Sequence, residues 1–413
     1  MLDNFRSHRK ALAITRIATF LDSVVELKIG EWARHLFQVQ YFFSPALFTL
    51  VKALPAMRQL HTLQLSSIFL PETYLYCILS SPYLTHLTLC AIRMPKITRF
   101  PTPNPNLRKL TLKLMVSWDA VRPLIVHLAD SLEYLEFRLC GSRFGHRSQP
   151  QLPSFPSLRE LRHYQHYSDM AMLDELYHLS QVTHLHLFGT LHSSHIAVAA
   201  LPKSLQHLSI AEEMLTQRVL GTTPLTQLIS LRTQLFREWE MSHHLEISAF
   251  VCDHFPNITF LHLGIGWSRR NTALIMARSQ HNVRAMELSI VANHGLPWSQ
   301  VEILNDDLRN NVLSGALQSL RLEVFQCYDK LEPSLARCSQ WIDDDILHPV
   351  TGLGGPNLKS IDVLCVQPVG GSERERRIWK RWAKLPDGDW RMEGTVRDNR
   401  DTKAAFIAAL VTS

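Results

Sequence analysis

At 413 residues, with 46% hydrophobic and 19% charged residues, the chain holds enough apolar material for a large core and too little charge for general disorder. A formal charge of +6, scattered along the sequence, does not mark a nucleic-acid binder, and no run reaches the roughly 18 to 20 apolar residues of a membrane-spanning helix. The seven cysteines are odd in number, widely spaced and without a CxxC, so they read as reduced thiols of a cytoplasmic or nuclear protein rather than as a disulfide framework or a zinc ribbon.

Residues 1–23 are a basic flank, expected to be helical, in which Arg16 interrupts the apolar stretch that would otherwise resemble a signal-peptide core. From Val24 the pattern L-x-x-L-x-L recurs. It begins with Val24-Leu27-Ile29 and continues through Leu60-Leu63-Leu65, Leu84-Leu87-Leu89, Leu107-Leu110-Leu112, Leu132-Leu135-Phe137, Val182-Leu185-Leu187 and Leu205-Leu208-Ile210. Ile258-Leu261-Leu263, Val283-Met286-Leu288, Leu317-Leu320-Leu322 and Leu358-Ile361-Val363 follow, while Leu158-Leu161-His163 and Leu228-Leu231-Thr233 end on a polar residue. From Leu60 to Leu205 the first positions lie 24, 23, 25, 26, 24 and 23 residues apart. Such regularity marks an array in which positions four and six of a short strand face one core, and a return segment brings the next strand alongside.

Several return segments read as helices on apolar periodicity, namely 71–81, 118–131, 168–180, 246–255 and 270–280. Pairs such as Pro105-Asn106, Pro156-Ser157, Pro202-Lys203, Pro256-Asn257 and Pro356-Asn357 mark the turn into each strand. The interval lengthens between Val24 and Leu60, Leu205 and Ile258, Val283 and Leu317, and Leu317 and Leu358, which places insertions there, the last containing Trp341 and Asp343-Asp344-Asp345. After Val366 the repeat stops. Ser372 and Glu375 form a capping-box pattern, and Ile378, Trp382 and Leu385 fall at helical spacing, so residues 367–413 are expected to be a helical cap and tail. The fold expected is α/β, a leucine-rich-repeat solenoid over residues 24–366 with about 12–13 irregular repeats, a parallel concave sheet and helices on the convex side.

The repeats resemble leucine-rich repeats, with Cys140 eight positions after Leu132, where that family often has Cys or Asn. The phrases F-P-S-L-R-E-L (155–161) and F-P-N-I-T-F-L (255–261), with the His-rich strands, are similar to the repeat region of fungal F-box proteins. That resemblance implies the substrate-recognition part of a cullin-RING ubiquitin ligase receptor. In the family an N-terminal F-box docks the chain onto the ligase; residues 1–23 carry no L-P-x-E-[IL] opening, so no residue here inherits that role. The alternative is a free-standing repeat scaffold with no ubiquitin-ligase link.

Candidate chemistry is sparse. His184 and His186 flank Leu185, with His163, His166, His192 and His195 nearby in sequence, yet no carboxylate or Cys completes a zinc set. Asp343-Asp344-Asp345 lacks EF-hand spacing, Gly352-Leu353-Gly354-Gly355 lacks a phosphate-loop frame, and the basic helix expected around Trp379 reads as a solvated face. No hydrolase or metalloprotease motif is found, so no enzyme activity, metal or cofactor is expected. The third, fifth and seventh positions of each repeat should form columns on the concave sheet and face water. Tyr and Arg are enriched at binding hot spots, which makes Tyr134, Arg138, Arg162, Tyr164, His186 and Phe188 the candidate contact centre for a partner protein.

Overall fold

The repeated leucines align laterally, strand against strand. A computed structural model of the chain describes residues 23–29, 51–94, 97, 99–115, 118–139, 153–166, 179–190, 201–211, 224–234, 255–266, 282–292, 316–326, 357–368 and 375–397. The chain divides into two compact units, residues 1–196 with 200–205 and residues 197–199 with 206–413.

In the first unit the strands β1 (Glu26–Ile29), β2 (Thr62–Ser66), β3 (His86–Cys90), β4 (Lys109–Met115), β5 (Tyr134–Leu139), β6 (Glu160–His166) and β7 (His184–Thr190) lie parallel in chain order. Fourth positions pair with fourth and sixth with sixth. Leu63, Leu87, Leu110, Leu135, Leu161 and Leu185 form one buried row, and Leu65, Leu89, Leu112, Phe137, His163 and Leu187 a second. The first leucine of each repeat, Leu60 through Val182, is buried too. Helices α1 (Glu72–Leu79) and α2 (Trp118–Leu128) fill two return segments. They bury Leu75, Ile78 and Leu79, and Val121, Leu124, Ile125 and Leu128. The helices expected over 168–180, 246–255 and 270–280 lie outside the described residues, as do residues 1–22 and Trp341 with its acidic run.

In the second unit β8 (His207–Ala211), β9 (Ser230–Gln234), β10 (Phe260–Gly266), β11 (Ala285–Ala292), β12 (Ser319–Gln326) and β13 (Ser360–Pro368) repeat the arrangement. Leu208, Leu231, Leu261, Met286, Leu320 and Ile361 form the buried row. Both polar copies keep the register. His163 is buried against the Phe137 ring with centroids 4.4 Å apart, and the buried Thr233 directs Oγ1 to the His262 carbonyl at 3.5 Å. Each unit is therefore a leucine-rich-repeat solenoid on a parallel sheet.

Two backbone devices lock one repeat to the next. In one repeat after another the carbonyl just after the first leucine accepts two amides of the following repeat: His61 O takes Thr85 N at 3.0 Å and His86 N at 2.9 Å, and Arg284 O takes Gln318 N at 2.7 Å and Ser319 N at 3.1 Å. The residue just before the first leucine also reaches back. The Nδ2 groups of Asn106, Asn257 and Asn282 donate to the carbonyls of Pro82, Thr226 and Pro256, while Ser131 and Ser204 hydroxyls donate to Leu107 and Val182. The Pro-Asn turns are thus lateral ties as well as helix stops.

The C-terminal expectation is corrected. Residues 375–384 are a strand, β14 (Glu375–Lys384), running antiparallel to β13, and β15 (Trp390–Arg397) pairs with it in turn. The helical spacing of Ile378, Trp382 and Leu385 lost to two stronger demands. An open edge on β13 offers a row of backbone groups to be paired, and Pro386-Asp387-Gly388-Asp389 is a turn. Gly388 has φ of 95°, its amide bonds to Leu385 O at 2.9 Å, and Leu385 N bonds to Asp389 O at 2.7 Å. Trp382, paired with Ile361, is buried and continues the apolar row across the hairpin.

Because Leu135 is fully buried in the lateral row, Leu135→Asp should cost about 4 kcal/mol or more and abolish cooperative unfolding of the first unit. Lys109→Gln, on an exposed side chain one strand away, should change the unfolding free energy from urea titration by less than about 0.5 kcal/mol. Equal losses in both would contradict the register.

Candidate functional site

Alternation along a strand sends the third, fifth and seventh positions to the side opposite the leucines. Tyr134 and Arg138 lie on β5 and Arg162 and Tyr164 on β6, and the pairing aligns Tyr134 with Glu160 and His184, Glu136 with Arg162 and His186, and Arg138 with Tyr164 and Phe188. The six candidate residues thus fall on three consecutive strands. The side chain of Phe188 lies outside the described part of the structure.

Tyr134, Arg162 and His186 lie in one cluster of contacts with Lys113, Glu136 and Glu160. The Tyr134 hydroxyl donates to Glu136 Oε2 at 2.7 Å, and Lys113 Nζ lies 3.1 Å from Glu136 Oε1. On the neighbouring strand Arg162 donates from Nε at 2.7 Å to Glu160 Oε1, with Nη2 at 2.6 Å from the same oxygen and His186 Nε2 at 3.7 Å. The Arg162 guanidinium carbon sits 5.5 Å from the Tyr134 ring centre, joining the two halves through a cation–π contact. Sequence spacing places Glu136 and Glu160 in the same outward columns but leaves them out of the contact centre, although they are the acceptors that hold Tyr134 and Arg162.

Burial and charge set the protonation states. Desolvation, then the hydrogen bond to Glu136, pushes the Tyr134 phenol far above its ordinary value, and desolvation also raises Tyr164. Both stay neutral. Burial works against the Arg162 charge, but Tyr134 and Glu160 outweigh it and raise its pKa. His86 and His184 are held below the ordinary histidine value chiefly by burial. The face therefore presents cations, neutral imidazoles and phenolic hydroxyls side by side. Among the described residues no group of three or more His, Cys, Asp or Glu could hold a metal ion, and no helix is long and apolar enough to cross a membrane.

The expectation that outward positions simply face water fails in part. Thr111 and Glu136 are buried in the first unit. In the second unit the fifth-position row Arg232, His262, Glu287, Arg321, Asp362 and Arg381 lies in register across six strands. His262, Glu287, Arg321 and Asp362 are each no more than 3% exposed. Arg232 Nε donates to His262 Nδ1 at 2.8 Å, and His262 Nε2 meets Ser289 Oγ at 2.8 Å. Arg321 Nε lies 3.8 Å from Glu287, and Arg381 grips Asp362 through Nε at 2.7 Å and Nη2 at 3.2 Å. This row went unnoticed in the sequence, although its alternating charge at one fixed repeat position was the available signal.

No family model matches the chain, and no curated protein matches it in sequence. Among solved structures the chain is similar to an internalin from Listeria monocytogenes, at 13% identity and a TM-score of 0.34, over 86% of this chain and 93% of that one.

Since the folded pKa values of His86 and His184 lie below the ordinary 6.5, the unfolded chain protonates first as the pH falls. Stability is full above about pH 6.5 and is lost as the pH drops through the folded values. The thermal midpoint should fall between about pH 7 and about pH 5, and less steeply in His86→Gln/His184→Gln. An unchanged slope in that variant would contradict the buried, neutral state of these rings.

Proposed function

We propose that this chain is a non-catalytic protein-binding scaffold whose partner docks on the outward face of β5–β7. The observation that carries this reading is the bonded cluster of Tyr134, Glu136, Glu160 and Arg162. Side chains already fixed by neighbours lose little conformational freedom on binding, so more of their contact energy appears as affinity. Tyr and Arg anchors on a firm base have the character of interface hot spots. Arg138, Tyr164, His186 and Phe188 complete the contact centre.

Within that class, the F-P-S-L-R-E-L and F-P-N-I-T-F-L phrasing supports a substrate-recognition role of the F-box type or a degenerate relative of it. A free-standing repeat scaffold is the alternative. Mixing the purified chain with the F-box-binding adaptor of cullin-RING ligases tests for direct docking. The lack of an F-box opening in residues 1–23 predicts no stoichiometric complex of this chain itself, and formation of one would assign the ligase role directly.

Replacing Arg138, Arg162 and Tyr164 together with Ala should preserve the leucine rows, since none of the three belongs to them. Capture of a wild-type partner by the triple variant should weaken by about 2 kcal/mol or more, roughly thirtyfold. Undiminished capture by a folded triple variant would move the binding centre elsewhere.

A further inference from the structure

The fifth-position row of the second unit holds more cations than anions. Arg232, Arg321 and Arg381 stand against Glu287 and Asp362. From β11 onward the signs alternate, with Arg321 between Glu287 and Asp362 and with Arg381 gripping Asp362 through two nitrogens. Those four charges balance, and Arg232 is left over.

The strands around Arg232 supply no counter-charge. No acidic residue stands on β8, β9 or β10, and Glu287, the nearest carboxylate of the row, is two strands away and lies against Arg321. Arg232 spends Nε on His262 Nδ1 at 2.8 Å. An arginine N–H can only donate, so this ring nitrogen accepts, carries no proton and leaves the imidazole neutral. Among the described residues the Nη1–Nη2 end of the half-buried guanidinium has no hydrogen bond or ion pair.

A second observation falls beside it. The alternation would put its next carboxylate on β8, where Ser209 stands in register with Arg232. Ser209 is 2% exposed, and among the described residues its Oγ has no hydrogen-bond partner. A buried hydroxyl left in that condition is unfavourable. One acceptor oxygen between the two strands would satisfy the hydroxyl and the guanidinium together.

We propose that Arg232 and Ser209 form a seat for a single carboxylate group of a ligand. Its two oxygens accept from Nη1 and Nη2, the two-pronged pairing still open to a guanidinium whose Nε is engaged, and the Ser209 hydroxyl donates to one of them. A phosphate, with nearly twice the charge, would leave part of that charge uncompensated, because Arg232 is the only cation on β8–β10. The seat involves no residue of the contact centre on β5–β7 and does not depend on that reading.

The test follows backbone hydrogen exchange of the full chain by mass spectrometry, in about 100 mM sodium acetate against sodium chloride or sodium phosphate at equal ionic strength. Acetate should slow the amides of β8–β10 roughly threefold, the response to a dissociation constant of about 50 mM, and leave β2–β4 unchanged. Acetyl-Gly-Glu-Gly-amide should protect as well, and acetyl-Gly-Gln-Gly-amide should not. Greater protection by the Glu peptide than by acetate at equal concentration assigns the source to a protein side chain; the reverse order assigns it to a small free carboxylate.

Arg232→Gln keeps an amide donor toward His262 and removes the charge, so the response to acetate should vanish. Ser209→Asp sets a carboxylate of the chain itself beside Arg232. It should slow the same amides without ligand and abolish the response. Should either variant fail to fold, Arg232→Lys and Ser209→Ala should each weaken the acetate effect roughly threefold in dissociation constant. No difference between acetate and chloride, equal protection by the Gln peptide, stronger protection by phosphate, or an undiminished response in a folded Arg232 variant would each overturn the proposal.

Discussion

Lateral register is the constraint on which the rest depends. A parallel sheet permits a one-residue slip only by turning every side chain to the opposite face, and here each slip would expose a leucine row and bury a polar one. The rows are enforced from three directions: by the leucines, by the carbonyl that accepts two amides from the next repeat, and by the Asn and Ser side chains that reach back one turn. Once the register is fixed, residues far apart in sequence become neighbours by rule. Glu136 meets Arg162 for that reason, and Asp362 meets Arg381.

That rule lets one repeat position carry different duties along the array. In the first unit the fifth position supplies Glu136 as a buried acceptor beneath Lys113 and Tyr134, and the surrounding cations remain accessible. In the second unit the same position holds the buried series His262, Glu287, Arg321 and Asp362, flanked by the partly exposed Arg232 and Arg381. Burying charge is costly unless partners and hydrogen bonds compensate. The alternation of Arg321 between Glu287 and Asp362 supplies opposite charges on both sides, and the two-pronged contact of Arg381 with Asp362 has the geometry that makes such pairs favourable. A polar row of this kind also opposes mispairing, because any shifted register would leave a carboxylate in a closed space without its cation.

Much of this was legible in the sequence, for a physical reason. Core positions repeat because the same packing problem recurs every turn, so Leu60 through Leu358 announce their own strands, including the polar copies at His163 and Thr233. The outward side has no such periodicity. Tyr134, Arg138, Arg162 and Tyr164 could be nominated by residue type and position, whereas Glu136 and Glu160 gain their meaning only from the partners the fold brings to them. The C-terminal hairpin was misread because Ile378 and Trp382 suit either a helix or a strand, and the open edge of β13 decides between them. Pro386-Asp387-Gly388-Asp389 was the local signal for the hairpin.

The fold and the binding face both depend on register, and the native Cys90 offers a direct probe of it. Cys90 on β3 and Lys113 on β4 occupy paired positions, and parallel neighbours about 4.8 Å apart are within the range a disulfide can bridge. Lys113→Cys should join to Cys90 on mild oxidation, seen as a linked peptide by mass spectrometry, while Thr111→Cys, paired instead with Thr88, should not. Linkage from position 111 in place of 113 would contradict the lateral alignment on which both the fold and the binding face are built.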